Sequence, residues 1–234
     1  MRKHYFKYKF NESYFEKIDS EDKAYFLGLF YADACNSNSS NMISIGLQKR
    51  DKGILSKLNK FMKSNVKFCI NKLSLKNPNH QDSYKLTFCS YKMSSDLNRL
   101  GCVPNKSLIL EFPTEDQVPE HLLRHFIRGY FDGDGWVGYR KRGLSEFIIN
   151  IEIISTRNFL DKLELYLNKN NISVYTRNIG RLIKRGNNIT ARLRTTSSTQ
   201  SILFLDWLYS NTKLYIARKY KKYMKLKSLK NKDK

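Results

Sequence analysis

Apolar and polar positions change period several times along the chain, and the changes come twice in the same order. Two stretches carry bulky residues at helical spacing: residues 26–34, FLGLFYADA, and residues 126–135, FIRGYFDGDG. Residues 124–131 are broken only by Gly129, and the following Asp132-Gly-Asp-Gly predicts a helix stop at which Gly133 and Gly135 supply positive φ. The first helix has Asp19 or Ser20 as its cap, with Glu21 and Asp22 in the turn where the helix dipole favours acids. After a polar loop at 36–41, strict alternation over 42–48 predicts a strand with Ile43, Ile45 and Leu47 on one face. An amphipathic helix at 51–62 turns Ile54, Leu55, Leu58, Phe61 and Met62 inward. Strands at 66–75 and 84–90 flank a turn at 76–82, and a helix at 93–100 ends at Gly101. Lys106 is expected exposed in the turn that follows, and 110–120, with Pro113 and Pro119, reads as a connection. The second half offers a strand at 147–152, a helix at 157–167, strands at 174–182 and 190–195, and a helix at 201–209.

The second series repeats the first. The offset between matching positions grows from 101 at Asp33 and Asp134 through 104, 105 and 107 to 108 at the closing helix, the mark of a duplicated unit whose loops absorb small insertions. The chain therefore divides into a basic arm (1–19), a first unit (20–112), a linker (113–119), a second unit (120–223) and a basic tail (224–234). Residues 11–18 suggest a short helix capped at Asn11, either packing on the first unit or touching a DNA backbone. The tail from Arg218 reads as a basic helix that frays into a solvated, lysine-rich coil.

Small residues four apart mark the face on which the two leading helices can meet: Gly28 and Ala32 in one, Gly129 and Gly133 in the other. Helices meeting there bring Asp33 and Asp134 together at their C-terminal ends. A helix C-terminus is a poor place for a carboxylate unless a cation compensates, and shared divalent cations would do so.

Charge narrows the partner. Lys and Arg number 43 against 21 acids, a formal net charge of +22, and the excess runs the whole length. That balance points to a polyanion, and to nucleic acid rather than a membrane, since the longest apolar run falls far short of a span. The basic N-terminus lacks the apolar core of a signal peptide, so an intracellular protein is expected. Cys35, Cys69, Cys89 and Cys102 show no paired spacing and read as reduced thiols.

Lys85 and Arg192 are equivalent in the repeat, and Arg194 matches Thr87, all on the faces opposite Leu86 and Leu193. Each sheet thus has one apolar face for its helices and one polar, basic face, to which Arg177, Arg181, Lys184 and Arg185 add. A twisted antiparallel sheet of this kind can enter the major groove, with long side chains at base edges and rim cations on phosphates; a merely solvated face is the alternative.

Both leading stretches resemble the LAGLIDADG motif of homing endonucleases, the first as FLGLFYADA and the second as FIRGYFDGDG without its leading Phe. The resemblance spans roughly residues 20–223 and implies an α+β fold of tandem αββαββα units, with the motif helices at the centre and two antiparallel sheets forming a saddle over DNA. It implies a monomeric, single-chain enzyme that cleaves long, asymmetric double-stranded DNA sites with Mg²⁺, leaving short 3′ overhangs. A non-cleaving binder on the same scaffold, an intron-RNA maturase or a transcriptional regulator, is the alternative. The resemblance assigns Asp33 and Asp134 as metal-binding carboxylates, with the carbonyls of Ala32 and Gly133 as further oxygen ligands. It assigns Lys106 as a catalytic lysine beyond the last helix of the first unit, and Lys219 in the second, with Lys213 competing. Gln48 and Glu152, matched by the repeat, are candidates to order water near the metals or are plain rim residues. The chain departs from the motif at Tyr31, where an acid is common, and at Ala34, where glycine is common and whose presence weakens the expected helix stop. Asp132 is read as a structural acid. A calcium loop is excluded because Trp136 stands where an oxygen ligand is needed, and a zinc-protease helix because Leu122 follows His121; His121 and His125 are surface or packing residues.

Overall fold

Eight consecutive residues, Ala24 to Tyr31, are buried in helix α1 (Glu21–Asp33), which is apolar on all sides because it lies at the centre of the molecule. Its partner is α4 (Leu123–Asp134), and the two make the most extensive helix contact in the chain. Glycine permits it: a Cβ at Gly28 would sit 2.0 Å from the Phe126 carbonyl oxygen, and one at Gly129 would sit 1.9 Å from that of Tyr25. The computed structural model describes residues 8–37, 39–72, 81–142, 146–179 and 190–232.

Around this pair the chain builds two α+β units. In the first, β1 (Ala34–Ser37), β2 (Met42–Gln48), β3 (Cys69–Asn71) and β4 (Ser83–Cys89) form an antiparallel sheet in the order β1-β2-β4-β3, with helices α2 (Lys52–Phe61) and α3 (Tyr91–Arg99). The second repeats it with β5 (Trp136–Arg142), β6 (Glu146–Thr156), β7 (Val174–Asn178) and β8 (Thr190–Thr195), ordered β5-β6-β8-β7, and helices α5 (Arg157–Lys169) and α6 (Ser198–Tyr209). Helix α7 (Ala217–Lys232) closes the chain.

The alternation read from the sequence fixes the faces. Ile43, Ile45, Leu86 and Phe88 are buried under the first sheet, and Ile149, Ile151, Ile153, Ala191 and Leu193 under the second. Ser90, Thr156 and Ser197 cap α3, α5 and α6, each accepting a backbone N–H three residues on.

Several expectations need correction. The first two residues of the polar loop expected at 36–41, Asn36 and Ser37, belong to β1, and β5 had no predicted counterpart. Polar Asn36 is buried in β1, where its amide donates to the Ser94 and Cys102 carbonyls at 3.1 Å each, so a satisfied core polar residue looks like loop in sequence. Helix α4 runs through Asp134 instead of stopping before it, and Gly135 leaves it at φ −72° and ψ 147°. Positive φ is therefore not what these glycines supply; a Cβ at Gly135 would lie 2.1 Å from the Phe131 ring, and one at Gly133 would lie 2.3 Å from the Ala32 Cβ. Ala34 leaves α1 with the same extended backbone, φ −91° and ψ 151°, and costs the helix exit nothing.

The arm around Asn11 is a series of turns, with Asn11 accepting from the Ser13 N–H at 3.1 Å, and Tyr14, Phe15 and Ile18 bury it against the first unit. The tail is not a solvated coil, because Tyr223 and Leu226 of α7 are buried and Tyr223 stacks on Tyr209. Phe112, near the connection between units, packs on Phe126 and Phe159.

Cross-strand register also revises the repeat. Ser44 pairs with Thr87, and Glu152 pairs with Arg194, so Glu152 is the counterpart of Ser44; Gln48 faces Ser83 as Thr156 faces Thr190. The offset thus jumps from 101 to 108 within the first hairpin, since Cys35 faces Ser44 and Trp136 faces Glu152. A seven-residue insertion there, with a small loss before β8 that brings the offset to 107, replaces the expected gradual growth. The equivalences of Lys85 with Arg192 and of Thr87 with Arg194 hold.

Candidate functional site

The C-terminal ends of α1 and α4 meet, and with them Asp33 and Asp134. Asp33 is the more enclosed; its Oδ2 is buried without a hydrogen-bond partner, and a Cβ on Gly133 of the opposite helix would approach it to 2.7 Å. Burial pushes the Asp33 carboxyl up to about 7, and the charge of Asp134 adds to this against the pull of Lys219, Lys106 and Arg218. Asp134 is open to solvent on one side, yet the protein wall behind it pushes its carboxyl up as well, opposed by Lys219, Lys106 and a hydrogen bond with Tyr130. Two neighbouring carboxylates, both made hard to ionise, are an arrangement that a bound cation would relieve.

Each helix end has its own lysine. The Lys106 ammonium donates to the Ala34 carbonyl just beyond α1, and the residue is buried, not exposed on its turn as expected. The Lys219 ammonium donates to three carbonyls at the end of α4: Phe131, Gly135 and, at 3.2 Å, Gly133. Both are placed as C-terminal caps that offset the negative end of a helix dipole. Burial pushes Lys219 down to about 8, although Asp132 pulls the other way. Repeat arithmetic would favour Lys213, 107 residues after Lys106; the chain instead inserts six more residues and brings Lys219 to the site. Lys213 lies elsewhere, its carbonyl accepting from Lys57 at 2.9 Å.

The inserted segment is held by two residues of α4. Asp132 is fully buried and accepts from the Tyr25 hydroxyl at 2.7 Å, the Tyr209 hydroxyl at 2.6 Å and the Ile216 N–H at 2.8 Å, which makes it the structural acid the sequence suggested. Arg128, also buried, donates to the Leu214 carbonyl at 2.9 Å and lies 5.3 Å from the Tyr25 ring centroid. Nothing in the linear pattern singled out Arg128, although a lone arginine in the middle of an apolar helix face was a signal. Tyr31 plays the matching part in the first unit: its hydroxyl donates to the Leu100 carbonyl, ahead of Lys106. So the acid missing from the first motif is replaced by a phenol that anchors the same segment.

Beside Asp33 lies a cleft of about 630 Å³ lined by Gln48, Lys85, Asp51, Gly133 and Arg218 among others. Arg218, at the start of α7, pairs with the enclosed Asp51 at 2.7 Å and ties the last helix to the first unit. Gln48 thus borders the centre, whereas Glu152 does not act as its twin. The Glu152 carboxylate is held on the second sheet by Arg192 at 3.0 Å and Arg194 at 2.7 Å.

The open sheet faces carry the remaining candidates. Lys85 is exposed on β4 opposite Gly46 and Cys69. Arg177, Arg192 and Arg194 lie together on the open face of the second sheet, Arg177 directly opposite Arg192. Arg181 and Lys184 lie outside the described residues. Sequence reasoning missed Trp136 and Arg140, which share that face, because β5 was not foreseen, and it passed over Tyr175 of β7 because only the cations of that strand were weighed. Among the described residues no group of three or more His, Cys, Asp or Glu side chains could hold a metal ion, and no helix is long and apolar enough to cross a membrane. The four cysteines are free thiols.

Comparison with known proteins agrees with this geometry. The LAGLIDADG-like domain family matches residues 121–206. No curated protein matches. Among solved structures, the chain is similar to the LAGLIDADG homing endonuclease I-LtrWI bound to its target DNA, at 11% identity and TM-score 0.57, covering 95% of this chain and 93% of that one. It is similar also to I-SmaMI bound to uncleaved DNA with calcium ions (12% identity, TM-score 0.54, 93% of each chain). I-CpaMI bound to uncleaved DNA gives 14% identity and TM-score 0.52, over 89% of this chain and 92% of that one. Residues 121–206 thus match a LAGLIDADG-like domain, and the chain as a whole has the duplicated fold seen in LAGLIDADG homing endonucleases.

Proposed function

We propose that this protein is a site-specific double-strand DNA endonuclease that hydrolyses one phosphodiester on each strand of a long, asymmetric target, acting as a monomer. The two units of the reading, 20–112 and 120–223, would each take one half of that target. The observation that carries it is the convergence of Asp33 and Asp134 at paired helix ends, with one buried carboxylate oxygen unpartnered, between two open antiparallel sheet faces. A protein that only bound nucleic acid would gain nothing from two carboxylates facing a phosphate backbone, and this disfavours the maturase or regulator reading.

Divalent metal fits this donor set. The oxygens on offer are hard, their charges repel one another, and a cation between them would remove the cost of ionising Asp33. Asp33 and Asp134 would hold Mg²⁺, with the Ala32 and Gly133 carbonyls as further donors. When bound, the metal supplies charge to the scissile phosphate and lowers the pKa of an attacking water. The protein's own part is to hold both carboxylates at one point, to offset the negative helix ends with a lysine at each, and to fix the DNA through the sheet faces. Gln48, at the rim of the cleft, is suited to orient water, and Lys106, with one carbonyl partner, keeps donors free for water or phosphate. Lys219 spends its three donors on carbonyls and is suited more to holding the helix end than to proton transfer. Cleavage selection from a randomised duplex library in Mg²⁺ tests the reading. A single long consensus cut on both strands is expected, and recovery of bound but never cleaved duplexes would overturn it.

A further inference from the structure

Trp136 opens β5 two residues beyond Asp134, and 51% of its surface is exposed. The indole lies across Gly138, the next residue on the same face: a Cβ there would come within 2.3 Å of Cζ2 and 2.4 Å of Cη2. The bare glycine backbone is thus the bed for the ring. The Lys222 ammonium lies over the ring, 5.5 Å from its centroid. Across the sheet the same row continues with Glu152, Arg194 and Tyr175. The result is a flat apolar platform on a face otherwise furnished with arginines. The first unit has no such platform, since Cys35 and Ser37 stand at the matching positions of β1.

We infer that Trp136 is a specificity-determining residue whose indole receives the C5-methyl of a thymine in the half-site lying on the second sheet. This rests on the endonuclease reading and adds one base preference to it. A major groove offers an apolar side chain one partner that distinguishes bases, the thymine methyl, whereas the neighbouring arginines suit the acceptors of guanine. Position limits which thymine. Only Gly135 separates Trp136 from Asp134 at the end of α4, a reach of about 7 Å at most, so the thymine lies near the phosphate held there. The preference belongs to one half-site alone, because Cys35 offers no comparable surface.

The test uses the selected target duplex and replaces its thymines one at a time by uracil, which removes only the methyl. Binding is measured in Ca²⁺ for the unaltered protein, Trp136→Ala and Gly138→Ala. The second variant keeps the tryptophan but displaces its ring, and so guards against a folding defect in the first. The unaltered protein should lose about fourfold in affinity at one thymine near the cut in one half-site, as expected for one buried methyl. Both variants should bind the thymine and uracil forms of that position equally. If no thymine is sensitive, or if the sensitivity survives in both variants, the inference is overturned while cleavage and the endonuclease reading stand. If the unaltered protein binds no duplex at all, both fall.

Discussion

The two sheets of this chain share a register and differ in everything they present to solvent. The open face of the first carries Ser44, Gly46, Gln48, Lys85 and Thr87, with the exposed thiols of Cys35, Cys69 and Cys89. That of the second carries Trp136, Arg140, Tyr175, Arg177, Arg192 and Arg194, with Glu152 holding two of the arginines. Their buried faces differ far less, both being built mainly from Ile and Leu. Packing constrains a duplicated core in both copies, while the outer face answers only to what each half binds. A face of small polar groups and a face of arginine and aromatics cannot favour the same half-site, so the target is expected to be asymmetric in strength of contact as well as in sequence.

If the shared core is symmetric where the faces are not, equivalent core changes should cost the same. Gly28→Leu and Gly129→Leu each force a side chain into backbone of the other helix, where the Cβ alone would lie 2.0 and 1.9 Å from a carbonyl oxygen. Each should cost more than the roughly 1–3 kcal/mol of ordinary overpacking, and neither should give a cooperative melt near the native temperature. A native-like melt for one of them alone would break the symmetry of the interface.

The lysine caps should be unequal. Lys219→Met strips three carbonyls of a buried donor, whereas Lys106→Met strips one. Calorimetry should show the first variant less stable by about 1–3 kcal/mol and the second less affected. In cleavage assays the order should reverse, with Lys106→Met slowing the cut on one strand by about 10²-fold or more. Equal effects in both assays would mean that the two caps do the same work.

A smaller effect concerns the metal-free carboxyl pair. Asp33 has its carboxyl pushed up to about 7 from an ordinary 3.8, so the folded state binds the extra proton between those values. Its contribution is therefore present below about pH 4 and lost as pH rises through 7. Asp33→Asn removes this dependence and should be more stable than the native protein at pH 8, with the gap closing toward pH 4. Parallel thermal-stability curves for the two proteins across that range would remove the electrostatic account of the site.

On the sheets, Arg194→Ala should relax base preference at particular positions of one half-site, at a cost of about 1–3 kcal/mol per contact. Lys85→Ala, on the sparser face, should do less. Exposed Lys225 of α7 serves as the comparison, because a contact to phosphate alone weakens binding evenly and lowers the salt slope by about 0.9. Binding profiles over single-base target variants at several salt concentrations separate the three.

Most of the fold was legible because alternation and helical spacing report burial directly. Ile43, Ile45 and Leu47, or Leu86 and Phe88, announce their faces wherever a strand has one apolar side. The first strand of each unit escaped because β1 buries an asparagine and β5 mixes glycine and arginine with its aromatics, so neither alternates cleanly. At the site, the two motifs pointed to Asp33 and Asp134, and the family resemblance pointed to Lys106 and to Lys219 with Lys213 competing; the structure brings Lys106 and Lys219 to the paired helix ends. The partners of the lysines were not legible, since backbone carbonyls leave no trace in side-chain patterns. The supposed twinning of Gln48 with Glu152 failed for a related reason: an insertion inside a hairpin shifts register without altering the alternation on either side of it.

The central claim is that Asp33 and Asp134 together make one cleavage centre. It is tested most directly by following both strands of the selected duplex in Mg²⁺ with Asp33→Asn and Asp134→Asn, while measuring binding of the same duplex without cleavage. Each variant should bind about as well as the native protein, since a carboxylate facing phosphate adds no affinity, and neither should produce double-strand breaks. Double-strand cleavage at a near-native rate by either variant would contradict the account.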